Sequence, residues 1–306
     1  MKSGMIIGSQ IIVMFIILAV GILCYKIKLI DKKGTKQLSN IALNVVNPAL
    51  IFMSYQKKYS SEMAKGLLWA FLLSVVAYVV MIALSFLLVG KNNPDKGLER
   101  FTCVYSNCGF IGIPLINGIF GSEGVLYLTA FVTMFNLLVW THGLMTMKEE
   151  IDFSSFVKAV KSPSVIAVFS GLICYFGRIT VPEIIGNAVN YVGDMNTPLA
   201  MLIAGATCAQ TSFPEALKNK RNYLICFYRL LVFPAAAFGV CLLFHAPAMV
   251  LTTITIAAAC PAAATGTMFA IQLDKKPERC SELFALTTIF SAVTLPVITI
   301  LAGKIV

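Results

Sequence analysis

Charge is scarce in this chain. Asp, Glu, Lys and Arg make up 12% of its 306 residues, about half the fraction typical of soluble domains. With 58% hydrophobic residues and a mean hydropathy of +0.84, that scarcity excludes a soluble globular protein and predicts a polytopic membrane protein. Histidine is scarcer still, at two residues, and few acids fall inside apolar segments. Neither a nucleophile–base pair nor paired catalytic carboxylates can be assembled from them, so an enzyme is not expected. A glycine-rich phosphate loop of the GxxxxGKS/T type is missing, which argues against an ATP-driven pump. The nine cysteines form no CxxC pair and no Cys/His cluster of metal-ligand spacing. They read as small apolar packing residues, with no disulfide, metal site or cofactor expected.

What the chain has in abundance is apolar runs. Windows near membrane-spanning length fall at 7–25, 38–55, 66–89, 101–120, 124–146, 163–177, 187–211, 222–244, 248–272 and 281–303. The expectation is an all-α protein of ten transmembrane helices. The first window, preceded only by Lys2 and followed by no A-x-A site, reads as a retained helix rather than a signal peptide. The loops after the odd-numbered windows carry 17 of the 24 Lys and Arg, the opposite side carries six, and Arg229 lies within a window. That bias places the odd loops in the cytoplasm and both termini outside it, in the plasma membrane. The net charge of +10 is thus mostly a topology signal, and nucleic acid is not an expected partner.

Prolines expose a repeat. LNVVNPALIF in the second window and GDMNTPLAML in the seventh place Pro48 and Pro198 at matching positions. CGFIGIPLI in the fourth and TIAAACPAAATGT in the ninth do the same for Pro114 and Pro261. Two five-helix units, 1–148 and 149–306, follow, and because five is odd the second must be inverted. Inverted repeats with interrupted helices at equivalent places mark secondary transporters whose site lies where the breaks meet.

The stretch SNCGFIGIPLI (106–116) holds Asn107, Gly109, Gly112 and Pro114 within eight positions. Proline removes a backbone donor and glycine loosens the turn before it. Irregular backbone at membrane depth is tolerated only against protein or a water-filled cavity. Helices 4 and 9 are therefore expected to be broken near Pro114 and Pro261 and to cross at mid-membrane. Half-helix N-termini there attract anions, each contributing roughly 0.3–1 kcal/mol when exposed and up to about 2 when partly buried. The half-helices that end there offer carbonyls to a cation or a hydroxyl.

Candidate substrate-binding residues are Asn107, Gly109, Pro114, Cys260, Pro261 and Thr265 at the breaks, with Asn136, Asn44 and Asn47 in neighbouring windows. For Asn136 a helix–helix hydrogen bond is the competing role. Asn44 and Asp194 each precede their helix's proline by four residues. Asp194 and Arg229 are candidate coupling or structural charges. At 1.5 Å per residue they enter the core from opposite sides and stop roughly 10 Å apart, so no direct pair is assumed.

At these residues the chain resembles the auxin efflux carrier family, which holds plant PIN-type carriers and bacterial malate/malonate permeases. NCGFIGIPLI (107–116), GDMNTPLAMLIAG (193–205), YRLLVFP (228–234), ACPAAATGTMFA (259–270) and SAVTLPVIT (291–299) carry the resemblance along nearly the whole chain. It implies a scaffold of helices 1, 2, 6 and 7, a transport part of helices 3–5 and 8–10, homodimers through the scaffold, and elevator movement of the transport part. It also carries the family's crossover asparagine onto Asn107, and sets Asn136 where plant members have a substrate-facing glutamine. Plant carriers have an Asp/Lys pair in the third helix; the third window here has no acid or base. A small carboxylate such as malate or malonate is therefore the expected substrate, rather than auxin. The alternatives are a sodium- or proton-coupled exchanger or symporter of the same fold, in which Na+ or H+ is the coupling ion, and a receptor that binds without transporting.

Overall fold

A computed structural model describes residues 2–148, 161–211 and 213–305. The boundary expected between the two repeats at 148/149, and the basic loop residue Lys158, fall outside or at the edge of the described residues. Secondary structure among the described residues is helical, with one isolated antiparallel bridge and no strand.

Helix α1 is Lys2–Lys26, α2 runs over 32–54, and α3 is Ser61–Leu88. Asp31 starts α2 by accepting the Gly34 N–H on its carboxylate at 2.6 Å. Helix α4, Lys96–Val104, ends in an extended link at 105–107, and α5 follows over 108–120. Gly121, at φ 62 and ψ −157, then turns the chain into α6, 122–148. Only glycine adopts that backbone without strain. Helix α7 is Pro163–Gly177, and α8 covers 183–208 with a slight interruption at Met195. After the short helix Phe213–Lys218 come α9, Lys220–Leu243, and α10, Ala248–Ala259. A second non-helical link over 260–264 leads to α11, Thr265–Gln272, and α12, Pro277–Ile305.

Four described stretches are long and apolar enough to cross a membrane: Ser61–Leu88, Cys108–Lys148, Lys220–Leu243 and Pro277–Gly303. Ile12–Lys26, Pro163–Gly177 and Ala248–Ala259 are shorter apolar helices. The protein is thus an all-helical polytopic membrane protein.

Two kinds of proline site bear on the helix interruptions. Pro48, Pro114 and Pro234 each lie second in a helical segment that directly follows a π-helical turn, at Ala42–Val46, Cys108–Gly112 and Tyr228–Val232. A proline ring clashes with the carbonyl four residues earlier and offers no N–H, so the turn before it widens and the helix continues. The fourth-window break opens instead at Tyr105–Asn107, upstream of the proline on which the sequence pattern centred it. Pro261, by contrast, stands inside its break.

Two sets of helix contacts stand out, joined by further contacts between them. Helix α1 lies along the second part of α8, while α2 packs on α7 and the first part of α8. The contact of α1 with α8 is close enough that a Cβ on Gly205 would stand 2.0 Å from the Leu18 carbonyl oxygen, and one on Gly21 2.4 Å from that of Leu202. Such small-residue contacts suit helices associating in lipid, where van der Waals packing drives association. In the other group, α3 packs on α6, and α10 on α6, α9 and α12.

One end of the second group is tied by charge. The buried Glu99 of α4 accepts from Arg221 of α9 at 2.8 Å and Arg279 of α12 at 3.3 Å. Asn93 adds a bond to the same carboxylate at 2.6 Å. Arg279 also donates to Asn222, whose amide bonds Glu282 at 3.1 Å. Nearby, Lys276 pairs with Asp95 at 2.7 Å. The basic loops after the third, seventh and ninth windows therefore share one end of the protein, as alternate loops of a membrane protein must.

Candidate functional site

The two links meet. Asn107 donates its backbone N–H to the Pro261 carbonyl at 2.7 Å, and Ala263 donates to the Tyr105 carbonyl at 2.9 Å. Ser106 and Ala262 between them form the antiparallel bridge. Ala262 in turn donates its N–H to the Thr287 hydroxyl of α12 at 3.1 Å. Two helix interruptions, at 105–107 and 261–263, thus satisfy each other's backbone groups, as backbone shielded from water requires.

The carbonyls at the ends of α4 and α10 have a different partner. Arg229 of α9, fully buried, donates Nη1 to the Cys103 carbonyl at 2.6 Å and to that of Val104 at 3.3 Å. Its Nε donates to the Cys260 carbonyl at 3.2 Å, and Nη2 to the Ala258 carbonyl. A single guanidinium therefore caps the C-terminal ends of both half-helices, where orphan carbonyls and the negative dipole end attract a cation.

Beside the crossing the protein also presents donors. The Asn107 carboxamide caps α5, its Oδ1 accepting the Phe110 N–H at 3.3 Å. Its Nδ2 is buried and has no partner among the described residues. Buried donors are nearly always satisfied, so an orphan one calls for a partner the protein itself does not supply. Asn107 borders a cavity of about 260 Å³, with Gly109 and Phe110 beside it and Thr265 and Thr267 of α11 opposite. The Thr265 and Thr267 hydroxyls are likewise buried and without partners. Phe110, Phe135 and Met268 supply apolar wall, and the exposed Lys32 and Lys36 of α2 stand at the mouth. A neighbouring cavity of about 300 Å³ shares Lys32, Thr207, Gln210 and Thr267, and extends to Glu215, Glu278 and Glu282. Amide, hydroxyl and lysine groups converging on a partly apolar chamber suit an anion that carries some hydrocarbon.

Of the residues singled out in the sequence, Asn107, Gly109 and Thr265 come together on this cavity. Asn47 is close by: its Nδ2 would lie 3.8 Å from a Cβ placed on Gly109, and its Oδ1 accepts from Asn196 of α8. Pro114 is buried in the helix beyond Asn107 and does not line the cavity. Pro261 contributes its carbonyl to the crossing rather than to the chamber, and Cys260 turns its thiol to the Ile256 carbonyl at 3.3 Å. Asn136 donates to the Val132 carbonyl of its own helix at 2.9 Å, and the exposed Asn44 to that of Asn40 at 2.8 Å. Asp194 is exposed at the end of the segment Glu183–Asp194, and no ion pair joins it to Arg229 among the described residues. Lys32, Lys36, Ser39 and Asn40 had entered only as topology charges or not at all. Their spacing of three to four residues, one polar helix face, is the signal that marks them.

A bundle of apolar helices with two interruptions paired beside a polar chamber is the build of a membrane transporter. The chain belongs to the auxin efflux carrier family: the family model described as "Membrane transport protein" matches residues 6–299. An uncharacterized transporter of Methanothermobacter thermautotrophicus is 23% identical over 294 residues, covering 94% of this chain and 96% of the relative. An uncharacterized transporter of Methanocaldococcus jannaschii is 25% identical over 243 residues, covering 74% of this chain and 77% of the relative.

Proposed function

We propose that the protein is a secondary transporter of small organic anions, carboxylates such as malate or malonate, held beside the crossing of its fourth and ninth membrane helices. The observation that carries this reading is that Asn107, whose buried Nδ2 has no partner among the described residues, lines a cavity of about 260 Å³. A carboxylate would complete that donor and the two threonine hydroxyls at once. Charge-assisted hydrogen bonds of this kind are about twice as strong as neutral ones.

In this reading α4–α5 and α10–α11 are the broken helices of a ten-helix fold built from inverted repeats. The group α1, α2, α7 and α8 is the scaffold, through which two copies pair. The group of α3–α6 and α9–α12 carries the substrate as an elevator. In the same reading the cavity, lined by the exposed Lys32 and Lys36, opens toward the cytoplasm in an inward-open state; the charge bias of the loops supports that orientation. Both termini then lie outside the plasma membrane.

A thermal-shift screen of the purified protein against carboxylates, with and without sodium and across pH, tests the reading. Binding to the folded state raises the melting temperature with ligand concentration. Stabilisation by dicarboxylates or monocarboxylates, absent in Asn107→Ala, is expected. Flux of the stabilising anion in proteoliposomes then separates a transporter from a receptor. No carboxylate effect in either assay would remove the anion from the proposal.

A further inference from the structure

Broken membrane helices commonly serve ions at both kinds of end, anions at half-helix N-termini and Na+ or H+ at exposed carbonyls. Here the carbonyl end is already filled. The Arg229 guanidinium bonds the carbonyls of Cys103 and Val104 from one half-helix and of Ala258 and Cys260 from the other. No part of the side chain reaches solvent, and no carboxylate among the described residues neutralises it. An arginine buried without a carboxylate is expensive, and its cost is offset here only by those carbonyls. Three of its nitrogens take part, so its planar fork, rather than charge alone, fits the site.

We infer that Arg229 is the crossing's built-in cation. It occupies the carbonyl site that a coupling ion would otherwise need and so closes the crossing to transported sodium. The charge at the crossing is then fixed: one tethered positive charge stays behind the donor side of the chamber whether or not substrate is bound. An anion entering beside Asn107 meets a site already compensated, with no cation required to arrive first. Arg229 is thus a positioning residue, acting on the substrate through the two half-helices it holds together.

The inference concerns the crossing and not the substrate, so a failed carboxylate screen would leave it intact. Its test reads cations on the purified full-length protein. Wild type should melt at the same temperature in sodium, potassium and choline chloride at equal ionic strength. Arg229→Ala uncovers four buried carbonyls and should melt roughly 10 °C lower, a loss set by their lost hydrogen bonds. Guanidinium chloride, far below denaturing concentrations, should restore much of that loss, and choline chloride should not. Should Arg229→Ala not fold, Arg229→Lys carries the comparison. Its single ammonium reaches fewer carbonyls, so sodium should stabilise it where wild type is indifferent. Sodium-specific stabilisation of the wild type would overturn the inference, as would a folded Arg229→Ala blind to guanidinium or an Arg229→Lys blind to sodium.

Discussion

The backbone N–H of Asn107 donates to the carbonyl of Pro261 at 2.7 Å, while the Asn107 side-chain amide nitrogen, buried nearby, has no partner. One residue therefore joins the two broken helices through its main chain and leaves its side chain for something else. Replacing Asn107 by Ala keeps the main-chain bond and removes the free donor along with one capping contact. The capping loss costs about 1 kcal/mol of stability. Binding of the proposed carboxylate should weaken about 10- to 100-fold, the share of one hydrogen bond to a charged group. Titration of the ligand by melting temperature, with flux in proteoliposomes, checks both. Unchanged transport by Asn107→Ala would move the site elsewhere.

Glu99 and its two arginines make a sharper stability prediction. Glu99 is 1% exposed, Arg279 9% and Arg221 39%. Removing the carboxylate leaves the buried Arg279 with Asn222 and a looser contact to Glu282 at 3.6 Å, so Glu99→Ala should cost about 3 kcal/mol. Arg221→Ala removes a partner that is more than a third in solvent, and should cost about 1 kcal/mol or less. Thermal melts of the two variants would show the difference, and equal losses would contradict it.

The contact of α1 with α8 sets a limit on side-chain size. With the Leu18 oxygen 2.0 Å from the Cβ position of Gly205, even Gly205→Ala forces the helices apart. A loss of about 1–3 kcal/mol is expected, the usual range for overpacking. Gly239, whose Cβ position meets nothing within 4 Å, should accept alanine with no comparable loss. Melting both variants side by side gives the answer.

Orientation is open to chemistry. Lys33 is exposed just inside α2, on the side that charge bias makes cytoplasmic. A cysteine at position 33, in a background whose half-buried Cys24 and Cys174 have been replaced, should react with a membrane-impermeant maleimide in broken cells and not in intact ones. Labelling from outside would reverse the topology.

The sequence revealed where the helices run far better than what their breaks do. Apolar windows marked where helices lie because hydropathy is a local property, though the windows 101–120 and 248–272 each run across a non-helical link, at 105–107 and 260–264. Proline spacing pointed to the fourth and ninth windows for the same reason: a missing N–H is local chemistry. The first break nevertheless opens at Tyr105–Asn107, since Pro114 widens its turn without ending the helix. What opens the backbone at 105–107 is its partner at 261–263, and pairing across that distance leaves no mark in local sequence. Arg229 was visible as an intramembrane charge, but its partners are main-chain carbonyls, which every residue possesses. The cavity face of Lys32, Lys36 and Ser39 was hidden for a third reason. Lysines flanking a membrane helix are expected anyway, so their second role adds no excess to notice.

The pairing of the two links also fixes an order of events as the chain is made. Pro261 follows Asn107 by 154 positions, about 8–30 s of synthesis at ordinary rates. Throughout that interval the first interruption exists without the strand that satisfies it, and for most of it without Arg229. The link at 105–107 thus gains its backbone partners only once residues 261–263 have been made. Variants that weaken this pairing should accordingly lower the yield of inserted protein more than they lower the stability of molecules in which it has formed.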